Sequence, residues 1–445
     1  MTLVRWLRHA WRSLRAALAS TDQRNALLLY AEVAAAGVMM AAQSFYSAYL
    51  LRLGASNTLV GLLSSLPPLV AVFCYLPSAR ILEGQERYDR WIVWALGIAR
   101  SGMIPLLLLP FVLSQALPEI TLGLIVAMTV PSVLFSTGWS AFLTDLVPAE
   151  SRATVLSWRM ILLSAVTAVA TFGFGQWLDS RAFPINYQGM FAIGVVGAAA
   201  SLYFVARLRL PDRELSAPRT SQKSLRGMVK ASLVASPGFR RIVVDTLLFN
   251  LGSWMIGPLF MILYVRELGA SDGWVGMAAT AANIGVMAGY WVAQRLVKRW
   301  GSAKTLYAAL PLVSIHAFLV ALFPNLTAIL LFGLMVNFAS GGVNLTHSMM
   351  FLELLPKESR YGATAIYSMV MNIGAFLCPM LGVFLADQIG ILPTLVVGGV
   401  LRVLGAATFY IFPLTDGGWA WRRKERQMNG ADVQRVDERE DNEND

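Results

Sequence analysis

Ionisable side chains recur inside long apolar stretches of this chain, where a charge is costly and usually has a task. The carboxyl groups there are those of Glu32 and Asp245, and the bases include Arg100, Arg402 and His347. A carboxyl group at such depth can take up and release a proton as its access to water alternates. We predict that Glu32 is a proton-coupling group with His347 or Arg100 as its partner. A structural ion pair is the alternative.

Polar residues also form a stripe along the apolar segment 326–354. Asn337, Ser340, Asn344 and His347 are separated by three, four and three positions, which stacks them on one face of a helix. Three other apolar segments carry comparable polar or aromatic residues. We predict that ten residues from these four segments line a water-filled pathway for substrate and protons: Glu32, Gln43, Tyr46, Trp139, Asp245, Asn250, Trp254, Asn337, Asn344 and His347. Packing between helices is the alternative, and we prefer it for the Ser and Thr residues.

Other kinds of chemistry find no support in the sequence. It contains no phosphate-binding loop of the Walker type and no readable pairing of a nucleophile with a base. Cys74 and Cys378 both lie in apolar segments, which favours buried thiols over a disulfide or a metal site. We therefore expect neither an enzyme activity nor a cofactor.

The segments that must position these residues are long and apolar. Of the 445 residues 56% are hydrophobic and 14% are charged, against about 25% charged in soluble proteins. About 20 residues of helix cross the hydrocarbon core of a bilayer. Hydropathy predicts twelve transmembrane helices, at 25–51, 57–80, 90–113, 119–145, 153–178, 187–207, 241–265, 273–296, 303–323, 326–354, 361–386 and 392–413.

The net charge of +10 has a topological explanation. With the first residues inside, 31 of the 36 Lys and Arg residues fall in cytoplasmic segments. This bias follows the positive-inside rule and excludes a nucleic-acid partner as its cause. We predict a multi-pass protein of the cell inner (plasma) membrane of a bacterium with both termini cytoplasmic.

The chain repeats itself. The segment YLLRLGASNTLVG from Tyr49 returns as YVRELGASDGWVG from Tyr264, and DLVPAESR from Asp145 returns as ELLPKESR from Glu353. The offsets are 215 and 208 positions, so six spans are followed by six related spans. We interpret the Gly and Ser of each Leu-Gly-Ala-Ser as ordinary helix punctuation, with Gly ending one helix and Ser capping the next.

The loop after the eighth span carries the sharpest family pattern. The segment GYWVAQRLVKRWGSAKTL resembles a loop of the major facilitator superfamily, with Gly, Arg and Lys in place but Lys298 where that family usually has Asp. The resemblance covers roughly residues 25–415. It implies two six-helix bundles with a binding site between them. It also implies that Arg100 and Arg402 lie on helices that support the cavity from outside, where we expect structural pairing.

Matched charges lie near the inner ends of the helices. In the family such charges bridge helices and halves when the inner side is closed, and the candidate gating residues are Arg80, Glu83, Asp145, Arg152, Arg159, Arg295, Glu353 and Arg360. Arg80 and Arg295 are repeat mates, as are Asp145 and Glu353. We predict that Arg80 pairs with Asp145, and Arg295 with Glu353, in contacts that change between states.

The sequence thus predicts an all-α membrane protein of twelve transmembrane helices in two six-helix bundles. Its expected parts are a cytoplasmic amphipathic basic helix, an N-terminal bundle, a cytoplasmic loop, a C-terminal bundle and a disordered cytoplasmic tail, at 1–24, 25–208, 209–240, 241–415 and 416–445. The predicted function is secondary active, proton-coupled transport of a small, largely neutral or amphipathic organic solute by alternating access. The alternatives are a drug or lipophile efflux antiporter and a non-transporting membrane scaffold or sensor. The expected partners are a small-molecule substrate, a proton or other coupling ion and the lipid bilayer, and the protein is expected to be a monomer.

Overall fold

The computed structural model describes residues 21–83, 88–113, 115–209, 236–356 and 360–411. Eleven helical stretches in these ranges are long and apolar enough to cross a membrane. The spans in chain order are α1 (Thr21–Arg52), α2 (Asn57–Glu83), α3 (Asp89–Val112), α4 (Leu117–Leu146), α5 (Ala149–Ser180), α6 (Ile185–Ala206), α7 (Pro237–Glu267), the joined α8 and α9 (Asp272–Leu322), α10 (Leu326–Leu354), α11 (Arg360–Ile389) and α12 (Ile391–Ile411). The predicted segments 1–24, 209–240 and 416–445 lie wholly or largely outside the described residues.

The stretch Asp272–Leu322 contains two spans rather than one. Its 51 residues exceed what one crossing requires. Gly301 interrupts it with φ 82° and ψ 166°, a conformation that an L-residue with a side chain rarely adopts. We therefore divide it into α8 (272–300) and α9 (302–322). All twelve predicted spans are present as helices.

The repeated Leu-Gly-Ala-Ser motif forms matching turns at one end of the molecule. Gly54 (φ 84°) and Gly269 (φ 64°) take the left-handed conformation that ends α1 and α7. Ser56 Oγ accepts a hydrogen bond from the backbone N–H of Leu59 at 3.2 Å, and Ser271 does the same for Trp274 at 3.1 Å. We call this end distal, and the end that holds Thr21 and Ile411 proximal.

The twelve helices form two halves with the same internal packing. In the N-half (α1–α6), α1 packs on α5 and α6, and α2 packs on α4. In the C-half (α7–α12), α7 packs on α11 and α12, and α8 packs on α10. Two long helix pairs, α5 with α8 and α2 with α11, join the halves. Gly175 and Gly276 make the α5–α8 contact close, because a Cβ at either would meet the backbone of the other helix.

The buried apolar residues show where the halves meet. One cluster, the distal core, draws on both halves and includes Phe45, Tyr49 and Phe191 together with Leu259 and Ile262. Toward the proximal end the clusters are separate. The N-half core contains only residues of α1–α6 and the turns joining them, and the C-half core only residues of α7–α12 and their turns. The described residues therefore pack as one body distally and as two bodies proximally.

The outward faces of the helices are apolar and exposed. Phe73, Trp94, Phe111, Val169 and Phe384 each leave about two thirds or more of their surface uncovered, between 66% and 74%. Such a surface is unfavourable in water but matches the hydrocarbon of a bilayer. The fold therefore agrees with a multi-pass membrane protein.

Candidate functional site

A cluster of charged groups lies inside the N-half. The Glu32 side chain of α1 is buried, and the residue is 1% exposed. Arg159 Nη2 of α5 donates to Glu32 Oε2 at 2.9 Å, and Ser201 Oγ of α6 donates to Glu32 Oε1 at 3.1 Å. Arg100 Nη2 of α3 lies 3.9 Å from Glu32 Oε1 and donates to Ser201 at 3.2 Å. We call these four residues the N-half ion cluster.

The N-half ion cluster is enclosed by aromatic packing. The Arg159 guanidinium lies over the Trp139 ring, 5.3 Å from its centroid, and Trp139 packs between Phe135 and Phe142. The ion cluster itself joins four helices, α1, α3, α5 and α6, through the Glu32 carboxylate. A carboxylate removed from water needs this many donors, because the desolvation of each ion costs several kcal/mol.

Sequence reasoning placed these residues only in part. Arg100 was one of two partners proposed for Glu32, and it lies 3.9 Å away. The closer partner is Arg159, which the sequence had suggested as a gating residue. His347, the other proposed partner, instead forms a hydrogen bond with Thr246 in the C-half. Nothing in the sequence indicates which face of α5 turns Arg159 inward.

The C-half contains a partly open cavity of about 210 Å³. We call it the C-half cavity; α7, α9, α10, α11 and α12 line it with Thr246, Phe249, Asn250, Leu306, Leu310, Val313, Ser340, Val343, Asn344, His347, Tyr367, Arg402 and Phe409. Three predicted pathway residues, Asn250, Asn344 and His347, are among them. Ser340 of the predicted stripe is another, so three of the four stripe residues face this space.

A chain of hydrogen bonds fixes the polar wall of the cavity. His347 Nε2 and Thr246 Oγ1 are joined by a hydrogen bond of 2.7 Å, and Thr246 also bonds the Tyr367 side chain. Asn250 Nδ2 donates to the Thr246 carbonyl oxygen at 2.9 Å. These bonds tie α7, α10 and α11 together and hold the Asn250 amide and the His347 ring at the cavity wall.

Arg402 of α12 brings a positive charge to the same cavity. Its guanidinium lies 4.9 Å from the centroid of the Phe249 ring. Gly252 lets α12 approach α7 at this level, since a Cβ there would lie 2.2 Å from the Gly398 carbonyl oxygen and 2.7 Å from the Arg402 backbone nitrogen. Arg402 Nε is buried and has no hydrogen-bond acceptor among the described residues. The expected pairing of Arg402 with a carboxylate or carbonyl group is therefore absent from this part of the structure.

Two other predicted pathway residues of the C-half lie outside the cavity. Asp245 is 3% exposed, lies 3.9 Å from Arg241 Nε and bonds the Thr408 side chain. Asn337 donates to the carbonyl oxygen of Gly333 in its own helix, at 2.8 Å. Asn337 thus uses its amide within its own helix, whereas Asp245 Oδ2 is buried with no hydrogen-bond partner among the described residues.

The remaining predicted residues lie closer to the interface between the halves. Gln43 is exposed and bonds the Tyr46 side chain, and the Tyr46 ring packs 6.1 Å from that of Phe191. Trp254 packs against Gly374 of α11, where a Cβ would lie 2.6 Å from the indole ring.

A set of polar contacts joins the halves at the distal end. Arg52 of α1 donates to the Ala270 carbonyl oxygen at 2.9 Å and to Asp272 Oδ1 at 3.4 Å. Arg266 of α7 donates in turn to the Ala55 carbonyl oxygen and to Asn57 Oδ1. Tyr187 of α6 adds a bond to Asp272 Oδ1 at 2.8 Å. We call these contacts, with the two described next, the distal contact set.

Two further bonds complete the distal contact set. Ser271 Oγ donates to Asp179 Oδ2 at 2.7 Å, and Asn57 Nδ2 donates to Asp387 Oδ1 at 3.2 Å. Asp179 and Asp387 are repeat mates at the ends of α5 and α11. Each half therefore offers its repeated turn to an arginine and an aspartate of the other half.

The distal contact set adds a second role to one sequence interpretation. The sequence predicts that the Gly and Ser of the repeated motif are helix punctuation, and the glycine and serine geometry agrees with that role. Its Ala55 and Ala270 carbonyl groups, and the Ser271 hydroxyl, also bind the opposite half. The signal was present in the sequence, because a charged residue precedes each Leu-Gly-Ala-Ser by one position, as Arg52 and Glu267 do, with Arg266 adjacent.

The predicted gating residues lie at the proximal end. Arg80 is exposed, Asp145 is half-buried, and Arg152 Nη2 donates to the Val147 carbonyl oxygen at 3.1 Å. Glu83 and Arg360 have side chains outside the described part of the structure. The pairing of Arg80 with Asp145 stays a prediction.

The second predicted proximal pair is apart in this structure. Arg295 lies over the Trp291 ring, 3.4 Å from its centroid, and Glu353 is exposed. Among the described ion pairs none joins these two residues. Their pairing stays a prediction for a state in which the proximal ends approach each other.

Metal ligands are not grouped in this structure. Within the described ranges no three His, Cys, Asp or Glu side chains come together as a metal site. Cys74 and Cys378 are free thiols.

The sequence is similar to transporters in two comparisons. Residues 242–435 match the family model described as Major Facilitator Superfamily. YwtG of Bacillus subtilis (strain 168), named as a metabolite transport protein, is 28% identical over 127 residues, and the match spans 28% of each chain. The chain therefore covers less than a third of this relative's length.

The whole fold is similar to solved transporter structures. The nucleoside transporter NupG superposes with a TM-score of 0.63 at 13% identity, covering 88% of this chain and 99% of that one. A bacterial homologue of the human lysosomal transporter Spinster, inward-facing and unoccupied, gives 0.64 at 15% identity, with 88% and 96% covered. A bacterial homologue of the iron transporter ferroportin in its inward-facing state gives 0.65 at 13% identity, with 86% and 98% covered. Residues 242–435, less than half of the chain, thus match the major facilitator superfamily model, and the fold as a whole is that of these solved transporters.

Proposed function

We propose that this protein is a secondary active transporter that moves a small organic solute by alternating access. The observation that carries the proposal is the arrangement of the cores: the halves share one apolar core distally and have separate cores proximally. A pair of bodies joined at one end can rock to join at the other, which exposes the space between them to each side in turn.

The chemistry of the distal contact set supports a seal that can open. Most of its bonds end on side-chain oxygens and backbone carbonyl groups near the surface, where water can replace either partner. Among the described residues the set contains one ion pair, Arg52 with Asp272, and its hydrogen bonds contribute only about 0.5–3 kcal/mol each, so together they hold a state without locking it. The positive-inside distribution of Lys and Arg supports the assignment of the distal end as the outer end and of this state as inward-facing.

The size of the C-half cavity supports a small solute. Its volume of about 210 Å³ is below the roughly 300–1,000 Å³ of pockets for drug-sized ligands. The wall combines phenyl rings with amide and hydroxyl groups, which suits an amphipathic molecule.

Reversible cross-linking of the distal end tests alternating access. In a C74S/C378S background, Asn57→Cys and Asp387→Cys place two thiols where Asn57 Nδ2 and Asp387 Oδ1 are 3.2 Å apart. Proteoliposomes are assayed for uptake of a compound selected by thermal-shift screening, since a ligand of the native state raises its apparent stability. We expect a short reducible cross-linker to stop uptake and reduction to restore it.

The single-cysteine variants, treated with the same reagent, are the matched controls and should keep their uptake. Unchanged uptake by the cross-linked double variant would contradict alternating access. If no screened compound is taken up by any form, the non-transporting scaffold alternative gains support.

Coupling to protons is the second part of the proposal, with Glu32 as the coupling group. The Glu32 carboxylate bonds Arg159 and Ser201, so its protonation would weaken the contacts that join α1 to α5 and α6. This link between a proton and helix packing supports the role. We expect Glu32→Gln to retain exchange of labelled solute but to lose accumulation driven by a pH gradient. Accumulation with unchanged pH dependence in Glu32→Gln would leave the structural ion pair as the better interpretation.

A further inference from the structure

A buried cation without a partner stands at the wall of the C-half cavity. Arg402 Nε is buried, and the described residues offer it no hydrogen-bond acceptor. The Phe249 ring face compensates part of the charge, but the N–H groups of a guanidinium lie in its plane and require acceptors. A charge at membrane depth usually has a partner, and here the described residues supply none.

The residues around Arg402 do not neutralise it. The cavity lining includes no carboxylate. Asp245, also buried on α7, is engaged by Arg241 and Thr408. The N-half shows the contrast, because Arg159 and Arg100 both lie within 4 Å of Glu32, at 2.9 and 3.9 Å. The Nε atoms of Arg100 and Arg159 also have no acceptor among the described residues, so what distinguishes Arg402 is that it forms no ion pair with a described carboxylate.

The rest of the wall completes a site for an anion with an apolar body. Asn250, Asn344 and Ser340 offer polar groups at the wall, while Phe249 and Phe409 give it aromatic surface. Arg402 is the one permanently charged residue of the described lining, which also holds the titratable His347, and a single negative charge balances the guanidinium. A guanidinium can donate two parallel hydrogen bonds to the two oxygens of a carboxylate, and this bidentate contact is a strong and well-oriented ion pair.

We propose that the C-half cavity binds the carboxylate of a small organic monoacid on Arg402, with the apolar part of the molecule against the two phenyl rings. The inference rests on the proposed transport function for its physiological meaning, and it names the substrate class as monocarboxylates rather than neutral solutes. Binding itself does not require transport, so the two can be tested separately.

The first test uses the unaltered purified protein. Binding of phenylacetate, phenylacetamide and phenyl phosphate is measured by isothermal titration calorimetry at one pH and ionic strength. The amide preserves the shape and removes the charge, and the phosphate monoester carries more charge. We expect phenylacetate to bind at least tenfold more tightly than either. Equal binding of the amide, tighter binding of the phosphate ester, or no binding of phenylacetate at millimolar concentration would each overturn the proposal.

The second test removes the charge. In Arg402→Gln we expect phenylacetate to bind no better than phenylacetamide, and in Arg402→Lys we expect a reduced preference for the acid. Arg207→Gln is the matched control, since Arg207 is an exposed cation at the end of α6 that lies over Tyr203, and its preference should be unchanged. A preference that survives in Arg402→Gln contradicts the assignment of Arg402. If Arg402→Gln does not fold, Arg402→Lys and the unaltered protein still decide the question.

The outcome of these binding tests can be distinguished from the outcome of the transport test. Arg402-dependent binding of phenylacetate without uptake into proteoliposomes would support the site and contradict transport. Uptake of neutral solutes without any preference for the acid would support transport and contradict the site.

Discussion

The two halves of the molecule place different groups at matching positions. At the 208-residue offset Arg159 corresponds to Tyr367, and Trp139 corresponds to His347. In the N-half the pair is a guanidinium over an indole ring, 5.3 Å from its centroid. In the C-half it is a phenol and an imidazole whose ring centroids are 6.3 Å apart. The two matching positions are thus filled by a cation on an aromatic ring in the N-half and by two polar aromatic rings in the C-half.

The buried charges of the halves are also distributed differently. Glu32 corresponds to Leu247 at the 215-residue offset, and Arg402 corresponds to Gly194 at the 208-residue offset. The N-half therefore contains an acid that pairs with its buried arginines, whereas among the described residues of the C-half no acid pairs with Arg402. The comparison teaches that duplication preserved the helix packing while the interior chemistry separated into an ion cluster and a cavity.

The largest expected effect comes from breaking the N-half ion cluster. Glu32→Ala leaves Arg159 and Arg100 buried without their carboxylate, and removing one partner of a buried pair costs about 3–5 kcal/mol. We expect a large fall in the melting temperature in detergent. Glu119→Ala, at an exposed acid of α4, is the control and should change stability by less than about 0.5 kcal/mol.

The double variant Glu32→Leu with Arg159→Leu sharpens this test. Because both charges of the closest pair are removed, we expect it to be more stable than Glu32→Ala alone. A double variant that is less stable than the single one would show that the pair contributes more than mutual neutralisation.

The two distal arginines test the comparison at the interface. Arg52→Ala removes an ion pair with the buried Asp272 carboxylate together with a bond to the Ala270 carbonyl oxygen, whereas Arg266→Ala removes bonds from a guanidinium to two neutral acceptors. We expect Arg52→Ala to separate the two halves at the distal end more than Arg266→Ala does. Spin labels on Leu53 and Leu268, which are repeat mates in the distal turns, report the separation by electron paramagnetic resonance. Equal opening in both variants would contradict the asymmetry.

Filling the cavity compares the halves directly. Ser340 lines the C-half cavity, and its repeat mate Ser132 is exposed on α4 and bonds its own helix at Met128. We expect Ser340→Leu to weaken phenylacetate binding at least tenfold, because the new side chain occupies the cavity. Ser132→Leu should leave the calorimetric affinity unchanged. Equal loss in both variants would mean that the ligand contacts both halves.

The smallest expected effect is at the repeated glycines. Gly54→Ala and Gly269→Ala each place a Cβ in the left-handed conformation, at a cost of about 1 kcal/mol, and neither Cβ meets another atom within 4 Å. Melting temperatures should fall slightly in both. Gly123→Ala is the control, since it lies within α4 with equally open space and alanine favours a helix. A rise in melting temperature for the two turn variants would contradict the strain argument.

Several features could be predicted from the sequence because their causes are local or periodic. The number of spans follows from the length of apolar segments, and the repeat follows from matching residues at fixed offsets. The stripe of Ser340, Asn344 and His347 was found because spacing along one helix determines which residues share a face. The sequence could not indicate that Asn337, on the same face, would lie outside the cavity and donate its side-chain hydrogen bond to the Gly333 carbonyl oxygen of its own helix.

The sequence by itself determined the two six-helix halves, the turns between α1 and α2 and between α7 and α8, and the polar face of α10. Only the tertiary structure decided that Arg159 meets Glu32, 127 positions away, that Arg52 reaches the opposite half, and that Arg402 stands without a carboxylate. The physical reason is that apolar segment length and helical spacing are properties of neighbouring residues. The rotation of each helix about its axis is set by close packing with helices that are distant in the chain.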